Sequence, residues 1–508
     1  MASFCDSLGN LLFYTNGIQI MGSNHERIEN GDSINTGYYA SLDYSSGYKV
    51  AQSTFFLQMP GHPDTIILFH GSTEIDDVFG ITINKFHTTK IYNRQEPFVV
   101  EKNRPLLEDV RLNGISAVRH ANGRDWWVIY GVQSENKYFL FLLTDKGVVS
   151  TEKVELYPEF PFLHADCYLK FTPDGNKFIR YYTSDGVYIY DFDRCNGGFS
   201  NGVFIPVPED FLGWGHCISK NGRFLYVSSV TKILQYDIWA DDIENTEVLV
   251  AVYDGYQSPF STTFNTMQLG PDGRIYINST SGSNILHVIQ YPNKKGLACE
   301  VRQHSLELPT YNARTMPHFP NYRLGPLDGS PCDTLGLDNL SIAKYRYEQP
   351  DSMDFLKVEF TDLSYYEPAE WHWDFGDNTT SQETDPVHVF PQSGTYEVCL
   401  TVSNVNGENT FCRTLSLGTV STSVEAQAVD INVFPNPCRE GVNVIISEYL
   451  PRDAKVVLYD AVGQRHKVQS VQTGWNTLRL DGLRAGIYLY EIWEQDVLLK
   501  TGKLVKVE

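Results

Sequence analysis

The sequence predicts an all-β chain: a β-propeller of six or seven blades followed by two small β-sandwiches. Three observations predict it. A turn-and-strand phrase recurs from the start of the chain to about residue 325. Further on, Trp371, Trp373 and Phe375 alternate with His372 and Asp374, as in a strand with one buried face. Stretches with helical periodicity are hard to find, whereas aromatics make up 13% of the residues and Gly and Pro are frequent.

The recurring phrase is a turn containing Gly, often with Asp or Asn beside it, followed by an aromatic or β-branched strand. It occurs around Gly9, Gly61, Gly123, Gly175, Gly222 and Gly273, and these glycines are 52, 62, 52, 47 and 51 residues apart. A period of roughly 40 to 50 residues holding several short strands is that of a propeller, with each repeat a four-stranded blade. Second strands follow at blade spacing, as in Val187–Asp191 and Ile233–Asp237. Residues 1–325 therefore read as the propeller. Because the chain opens almost at the first turn, the first blade is expected to lack its leading strands. The stretch Met1–Cys5 has neither a charged n-region nor an apolar h-region, so a signal peptide is expected upstream of Met1.

Residues 326–350, with Pro326, Gly329, Pro331 and Pro350, read as a linker, and residues 351–418 as the first sandwich. Gly376, Asp377 and Asn378 end the Trp371–Phe375 strand in a tight turn, and a second alternation runs through Tyr396, Val398, Leu400 and Val402. Cys399 and Cys412 flank a turn at Asn404–Gly407, so the two residues either face each other across a hairpin as a disulfide or stay separate thiols. Cys195 with Cys217 is a second candidate pair. The segment from about Phe360 to Leu417 resembles a PKD domain, an immunoglobulin-like module. The resemblance lies in Trp373-Asp374-Phe375-Gly376-Asp377, Pro386–Phe390 and Gly394–Val398. It implies an extracellular spacer or adhesion module without catalysis. Asp374-Phe375-Gly376 also matches the metal-binding turn of a kinase, but neither a Gly-rich phosphate loop nor a His-Arg-Asp loop accompanies it.

Residues 419–429, rich in Ser, Thr, Val and Ala, read as a second linker, and 430–508 as the last module. Its phrases are Ile431–Pro437, Val456–Gln464, Leu483–Tyr490 and Lys500–Lys506. They resemble the type A C-terminal sorting domain of the type IX secretion system, with Pro435, Asn436, Pro437, Gly486 and Tyr488 as motif positions. The resemblance implies the type IX secretion machinery as a partner, passage across the outer membrane, and release or attachment at the surface. Phe4–Gly17 and Pro317–Arg323 resemble the first-blade and exit phrases of surface propeller proteins of the Bacteroidetes type.

Composition excludes several functions. With 40 basic and 62 acidic residues the formal net charge is −22, which opposes nucleic-acid binding. No apolar run approaches the roughly 20 residues of a membrane span. The nine cysteines show no Cys-x-x-Cys zinc pattern, and no cofactor is indicated; bound calcium has no supporting motif. There is no nucleophile elbow, His-Glu-x-x-His or phosphate loop, and no catalytic residue is assigned. Asp174 and Asp272 precede glycines and read as turn formers. His216 and His318 are placed either toward a propeller channel or in loop hydrogen bonds. Trp126 and Trp127 point to opposite faces of a strand, either as packing or with one ring as a stacking platform for sugar. Asp32-Ser33-Ile34, Asp64-Thr65-Ile66, Asp333-Thr334-Leu335 and Asp351-Ser352-Met353 look like O-glycosylation triplets of Bacteroidetes envelope proteins. The expected function is an exported, non-catalytic binding or adhesion protein with a protein or glycan ligand. The alternative is a secreted glycosidase or peptidase with an unrecognised propeller site.

Overall fold

The structure is a computed structural model. It describes residues 1–508 except 7–8, 37–39, 42–46, 49–51, 77–79, 133–135, 158–166, 183–185, 209–212, 214, 313–315, 350–353, 418–430, 435–437, 447–453, 461–464, 473, 495–496 and 508. The chain divides into two units, Met1–Leu415 and Ser416–Glu508. No helix among the described residues is long and apolar enough to cross a membrane.

The first unit opens with antiparallel meanders in chain order. Strands β1 (Ala2–Cys5), β2 (Leu11–Thr15) and β3 (Ile20–Gly22) form a three-stranded sheet. A seven-stranded sheet follows, made of β4 (Thr54–Gln58), β5 (Thr65–Asp76), β6 (Gly80–Tyr92), β7 (Phe98–Arg119), β8 (Trp126–Val132), β9 (Lys137–Thr144) and β10 (Gly147–Glu155). It is two blades sharing one strand: Phe98–Leu112 of β7 pairs with β6, and Leu112–Arg119 pairs with β8. Three four-stranded sheets follow: β11 (Cys167–Phe171) to β14 (Phe199–Pro206), β15 (Gly215–Ile218) to β18 (Val248–Val252), and β19 (Phe264–Leu269) to β22 (Val301–Asn312). Between them lie β12 (Lys177–Tyr182), β13 (Gly186–Phe192), β16 (Phe224–Ser228), β17 (Lys232–Asp237), β20 (Ile275–Ser279) and β21 (Ser283–Ile289). Six blades are present among the described residues, and the arrangement is a β-propeller.

Blades stack through apolar side chains from both faces. Trp127, Leu140 and Tyr138 meet Leu169, Phe178 and Tyr190 between the third and fourth, and Ile179, Tyr181 and Ile189 meet Leu225, Val227 and Tyr236 between the fourth and fifth. Middle strands are therefore covered on both sides. Every residue of β8 and of β16 is buried, which is why these strands read as continuous apolar runs and not as alternations.

The six repeat glycines all join the first strand of a blade to its second, with φ between 71° and 90°. In the first blade too a strand, Ala2–Cys5, precedes the turn. In a meander the first and third turns share one end of the sheet, and the second turn and the link to the next blade share the other. Each propeller face is thus built from one class of loop. The third turns confirm the pairing: Ile238 N donates to Arg223 O at 2.9 Å, and Asn93 N to Asp64 O at 2.8 Å.

The PKD-like sandwich belongs to the same unit. One sheet holds β23 (Tyr345–Glu348), β24 (Lys357–Asp362) and β27 (Val387–Val389); the other holds β25 (Glu370–Asp374), β26 (Thr380–Ser381), β28 (Gly394–Asn404) and β29 (Gly407–Leu417). Trp373 is fully buried, with ring centres 5.1 Å from Tyr345 and 5.3 Å from Phe360.

The second unit pairs a sheet of β30 (Ile431–Phe434), β31 (Gly441–Ile446) and β34 (Gly474–Arg479) with one of β32 (Ala454–Asp460), β33 (Arg465–Val471), β35 (Gly486–Glu494) and β36 (Val497–Lys506). Val442, Val444, Ile446, Val456, Leu458, Tyr488, Tyr490 and Ile492 fill the space between them.

Candidate functional site

Part of the glycine-turn face of the propeller, at the third, fourth and sixth blades, is occupied from within the chain. Pro326 lies where a Cβ on Gly123 would stand, Leu324 does the same at Gly175, and Leu363 meets Gly273. Arg194, from the third turn of the fourth blade, donates to the Gly325 carbonyl and, through Nε, to Arg119 O at 3.0 Å. Burial holds its pKa down at about 10. From the sandwich, Glu348 accepts from Arg274 and Arg346, and also from Gln290; Tyr291 OH donates to it at 3.3 Å. Asp362 pairs with Lys220 at 3.4 Å. A crevice between the two modules is lined by Lys220, Tyr291, Lys294, Arg346, Glu359 and Asp385.

The centre of the ring is crossed by the segment that leaves the last blade. His318 N donates to Met1 O at 3.3 Å and its Nε2 to Ile115 O at 2.8 Å. Asn321 Nδ2 reaches Pro173 O at 2.7 Å, and Tyr322 OH reaches Phe56 O at 2.6 Å. One short segment thus ties together the first four blades. Lys170, on an inner strand, donates to Met267 O at 3.0 Å and Gln268 Oε1 at 3.1 Å, linking the fourth and sixth blades. His216 is 1% exposed, and neither ring nitrogen has a hydrogen-bond partner; its ring meets Tyr181 edge-on. Burial, then the nearby Lys170 and His318, hold it well below the usual histidine range. Burial likewise lowers His318 to about 3. Both histidines read in the sequence thus lie at the centre, His318 hydrogen-bonded and His216 not.

A second polar cluster has no counterpart in the sequence reading. His70 and His87 sit opposite each other on β5 and β6, with ring centres 5.5 Å apart. His70 Nδ1 donates to Asn35 Oδ1 at 2.7 Å, and Thr89 Oγ1 donates to its Nε2 at 2.9 Å. Ser72 Oγ donates to Asn35 Oδ1 at 3.2 Å and lies 3.0 Å from His87 Nδ1. Asn35 Nδ2 closes the set on Gly17 O at 2.8 Å. The network pins the segment after β3 onto the second blade. Burial holds His70 far below its ordinary pKa and lowers His87 as well.

On the face opposite the glycine turns, described loops include Ser229–Thr231, Thr280–Gly282 and Tyr253–Thr263. The last is stitched to its neighbours. Tyr253 N donates to Thr231 O at 2.8 Å, Phe264 N to Val230 O at 2.9 Å and Thr280 N to Thr263 O at 3.1 Å. Tyr256 and Phe260 project from it, 42% and 58% exposed.

The other positions singled out from sequence fall as follows. Asp174 Oδ1 accepts from Thr172 Oγ1 at 2.5 Å and Asn176 N at 3.1 Å, and Asp272 Oδ1 from Arg274 N at 3.3 Å: turn geometry in both cases. Trp126 and Trp127 are 1% and 5% exposed and pack between blades, so neither is a platform. Cys399 and Cys412 are joined across the β28–β29 hairpin, with Cα atoms 4.1 Å apart. The pair Cys195–Cys217 is corrected: Cys195 is joined to Cys332, Cα atoms 5.6 Å apart, and Cys217 is a buried free thiol on β15. Of the glycosylation triplets, Ser33 and Thr334 are exposed, Thr65 is buried in β5, and Asp351-Ser352-Met353 lies outside the described residues. Pro435, Asn436 and Pro437 also lie outside them. Gly486 opens β35, and Tyr488 OH donates to Arg484 O at 2.9 Å. No group of three or more His, Cys, Asp and Glu side chains converges as a metal site among the described residues.

Residues 347–417 match the PKD domain family, and residues 432–507 match the secretion system C-terminal sorting domain. No curated protein matches the chain. Among solved structures, the chain is similar to the PKD1 domain of the Vibrio cholerae metalloprotease PrtV at 26% identity, covering 16% of this chain and 98% of that one, with a TM-score of 0.14. It is similar to the periplasmic gluconolactonase PpgL of Pseudomonas aeruginosa at 13% identity, covering 92% and 97%, with a TM-score of 0.35. It is also similar to the Dos1 propeller at 12% identity, covering 63% and 87%, with a TM-score of 0.35. The propeller assignment here stands on sheet order and pairing. The chain is therefore a secreted or outer-membrane surface protein made of a β-propeller, a PKD domain and a type IX secretion C-terminal sorting domain.

Proposed function

We propose that this is a non-catalytic binding or adhesion protein whose propeller is the head, taking a protein or glycan ligand on the face opposite its glycine turns. One observation carries the reading: the exit segment and the PKD sandwich pack on the glycine-turn side of the third to sixth blades, which favours the opposite loops as the ligand face. The groups gathered at the ring centre among the described residues, Lys170, His216 and His318, are bases whose pKa burial lowers, with no carboxylate beside them in that described set. An acid–base pair of carboxylates, as glycoside hydrolysis uses, has no counterpart in that set. The sorting domain delivers the head to the cell exterior through the type IX machinery.

The rival reading, a secreted hydrolase, is favoured by one contact, the 3.0 Å approach of Ser72 Oγ to His87 Nδ1. A nucleophile must give its proton to the base, and here Asn35 Oδ1, 3.2 Å from Ser72 Oγ, competes with His87 for that proton. The test uses the full chain purified from culture fluid, incubated with surface polysaccharide and with outer-membrane protein from the producing cells. Retention without release of sugar or peptide is the expected result. Product release at about 1 per second or faster, within the ordinary enzyme range, contradicts it.

A further inference from the structure

We infer that the loop Tyr253–Thr263 and the adjoining strands β21 and β22 form a binding platform for a neutral oligosaccharide. The inference rests on the binding-head reading and names the ligand class and the residues.

The loop is built to hold its aromatic residues in place. The Tyr256 carbonyl accepts from Thr262 Oγ1 at 3.0 Å, from Thr262 N at 3.2 Å, and from Tyr253 OH. Tyr256 N donates to Asp254 Oδ1 at 3.0 Å, and Ser258 N to Phe260 O at 2.9 Å. The Tyr256 ring stacks on His304 with centres 4.1 Å apart, and His304 Nε2 is anchored on Asp254 Oδ2 at 3.0 Å. Such a loop loses little conformational freedom on binding, and a ligand gains affinity from that.

What the platform displays fits a sugar. Tyr256 is 42% exposed, Phe260 58% and Tyr311 54%, and planar rings of this kind stack against the C–H faces of pyranoses. Groups that bond hydroxyls stand between them. Ser258 Oγ reaches Asn284 Oδ1 at 3.2 Å, and Asn284 Nδ2 reaches Glu307 Oε1 at 2.9 Å, so the polar row runs from the loop onto β22 beside Tyr311. Gly282 belongs to the same surface, since a Cβ there would strike the Tyr311 ring. The charge selects against acids. Residues 253–263 contain no Lys or Arg, Asp254 and Glu307 flank the rings, and the chain carries a formal −22. A phosphate, sulfate or uronate is repelled here. Aromatic rings separated by polar groups, in place of one continuous apolar patch, suit a ligand with alternating apolar and hydroxylated faces better than a protein hot spot.

The experiment is isothermal titration of the full chain with neutral hexose oligosaccharides of four to six units in several linkages, and with uronate oligosaccharides of equal length. Tyr256→Ala, Phe260→Ala and Tyr256→Phe are compared, with thermal unfolding as the check on folding. The expected result is binding of at least one neutral series, weakened about tenfold or more by Tyr256→Ala and by Phe260→Ala at unchanged unfolding temperature, and retained by Tyr256→Phe. Neutral binding that both alanine variants keep overturns the platform and leaves the binding head standing. Absence of neutral binding, or preference for the uronates, overturns it as a site for neutral glycan. A protein ligand would still be found in the retention test above, so the two failures are distinct.

Discussion

Lys220 of the fifth blade and Asp362 of the PKD sandwich, 142 residues apart, are joined twice: Nζ lies 3.4 Å from Oδ2 and donates to the Asp362 carbonyl at 3.0 Å. With Glu348 held between Arg274 and Arg346, this contact seats the sandwich on the propeller face built from the repeat glycines. The proposed ligand face of the head is the other one.

The docking predicts its own weak point. Glu348→Gln leaves Arg274 and Arg346 close together with their shared carboxylate gone, and removing one partner of a largely buried ion pair costs about 3 kcal/mol or more. Calorimetry of the first unit should show the PKD transition separating from that of the propeller and moving to lower temperature. Scattering should show a longer particle. A single unchanged transition would mean that other contacts carry the interface.

Acid should destabilise the propeller through its buried histidines. His70 and His216 are held well below the ordinary value of 6.5, His287 at about 4 and His318 at about 3, in each case chiefly by burial. The folded-state values are depressed, so the unfolded chain binds protons below about pH 6.5 that the native state refuses. Stability is then fully present above that pH and falls as pH drops, by up to about 1.4 kcal/mol per histidine per pH unit. Urea midpoints at pH 7.5 and 5.0 measure this, and His70→Gln should reduce the difference. Equal midpoints at the two pH values would contradict it.

Much of this fold is legible in the sequence, and the misses have physical causes. The repeat glycines are visible because each blade needs a residue at positive φ in its first turn, as at Gly175 and Gly222. The junction at β7 is hidden because one strand passes between blades with no turn to mark it. His70 and Ser72 alternate along β5 as solvent-facing residues would, yet the segment around Asn35 covers them. The PKD motif is local and legible, whereas the partner of Cys195 lies 137 residues away in a stretch that reads as linker.

The two disulfides should differ in worth. Cys195–Cys332 closes a loop of 137 residues and Cys399–Cys412 one of 13, so loop-closure entropy assigns about 4 to 5 kcal/mol to the first and about 3 to the second. Cys332→Ser should lower the denaturant midpoint more than Cys412→Ser does. Peptide mapping without reductant should recover both pairs, and recovery of a Cys195–Cys217 peptide would overturn the first.

Ser72 separates binding from hydrolysis. It is buried, and Asn35 competes with His87 for its proton, so a fluorophosphonate probe should leave it unlabelled, and Ser72→Ala should lower stability by about 1 kcal/mol without altering ligand retention. Labelling that vanishes in Ser72→Ala would establish a nucleophile and favour the hydrolase.

The most direct test of the head assignment is hydroxyl-radical footprinting of the full chain, with and without the surface material it retains. Protection is predicted at Tyr253, Tyr256, Phe260 and Tyr311. Trp239 and Leu297, exposed on third turns of the glycine-turn face, should stay unchanged. Protection confined to Trp239 and Leu297, with the opposite loops untouched, would place the ligand on the wrong face and contradict the account.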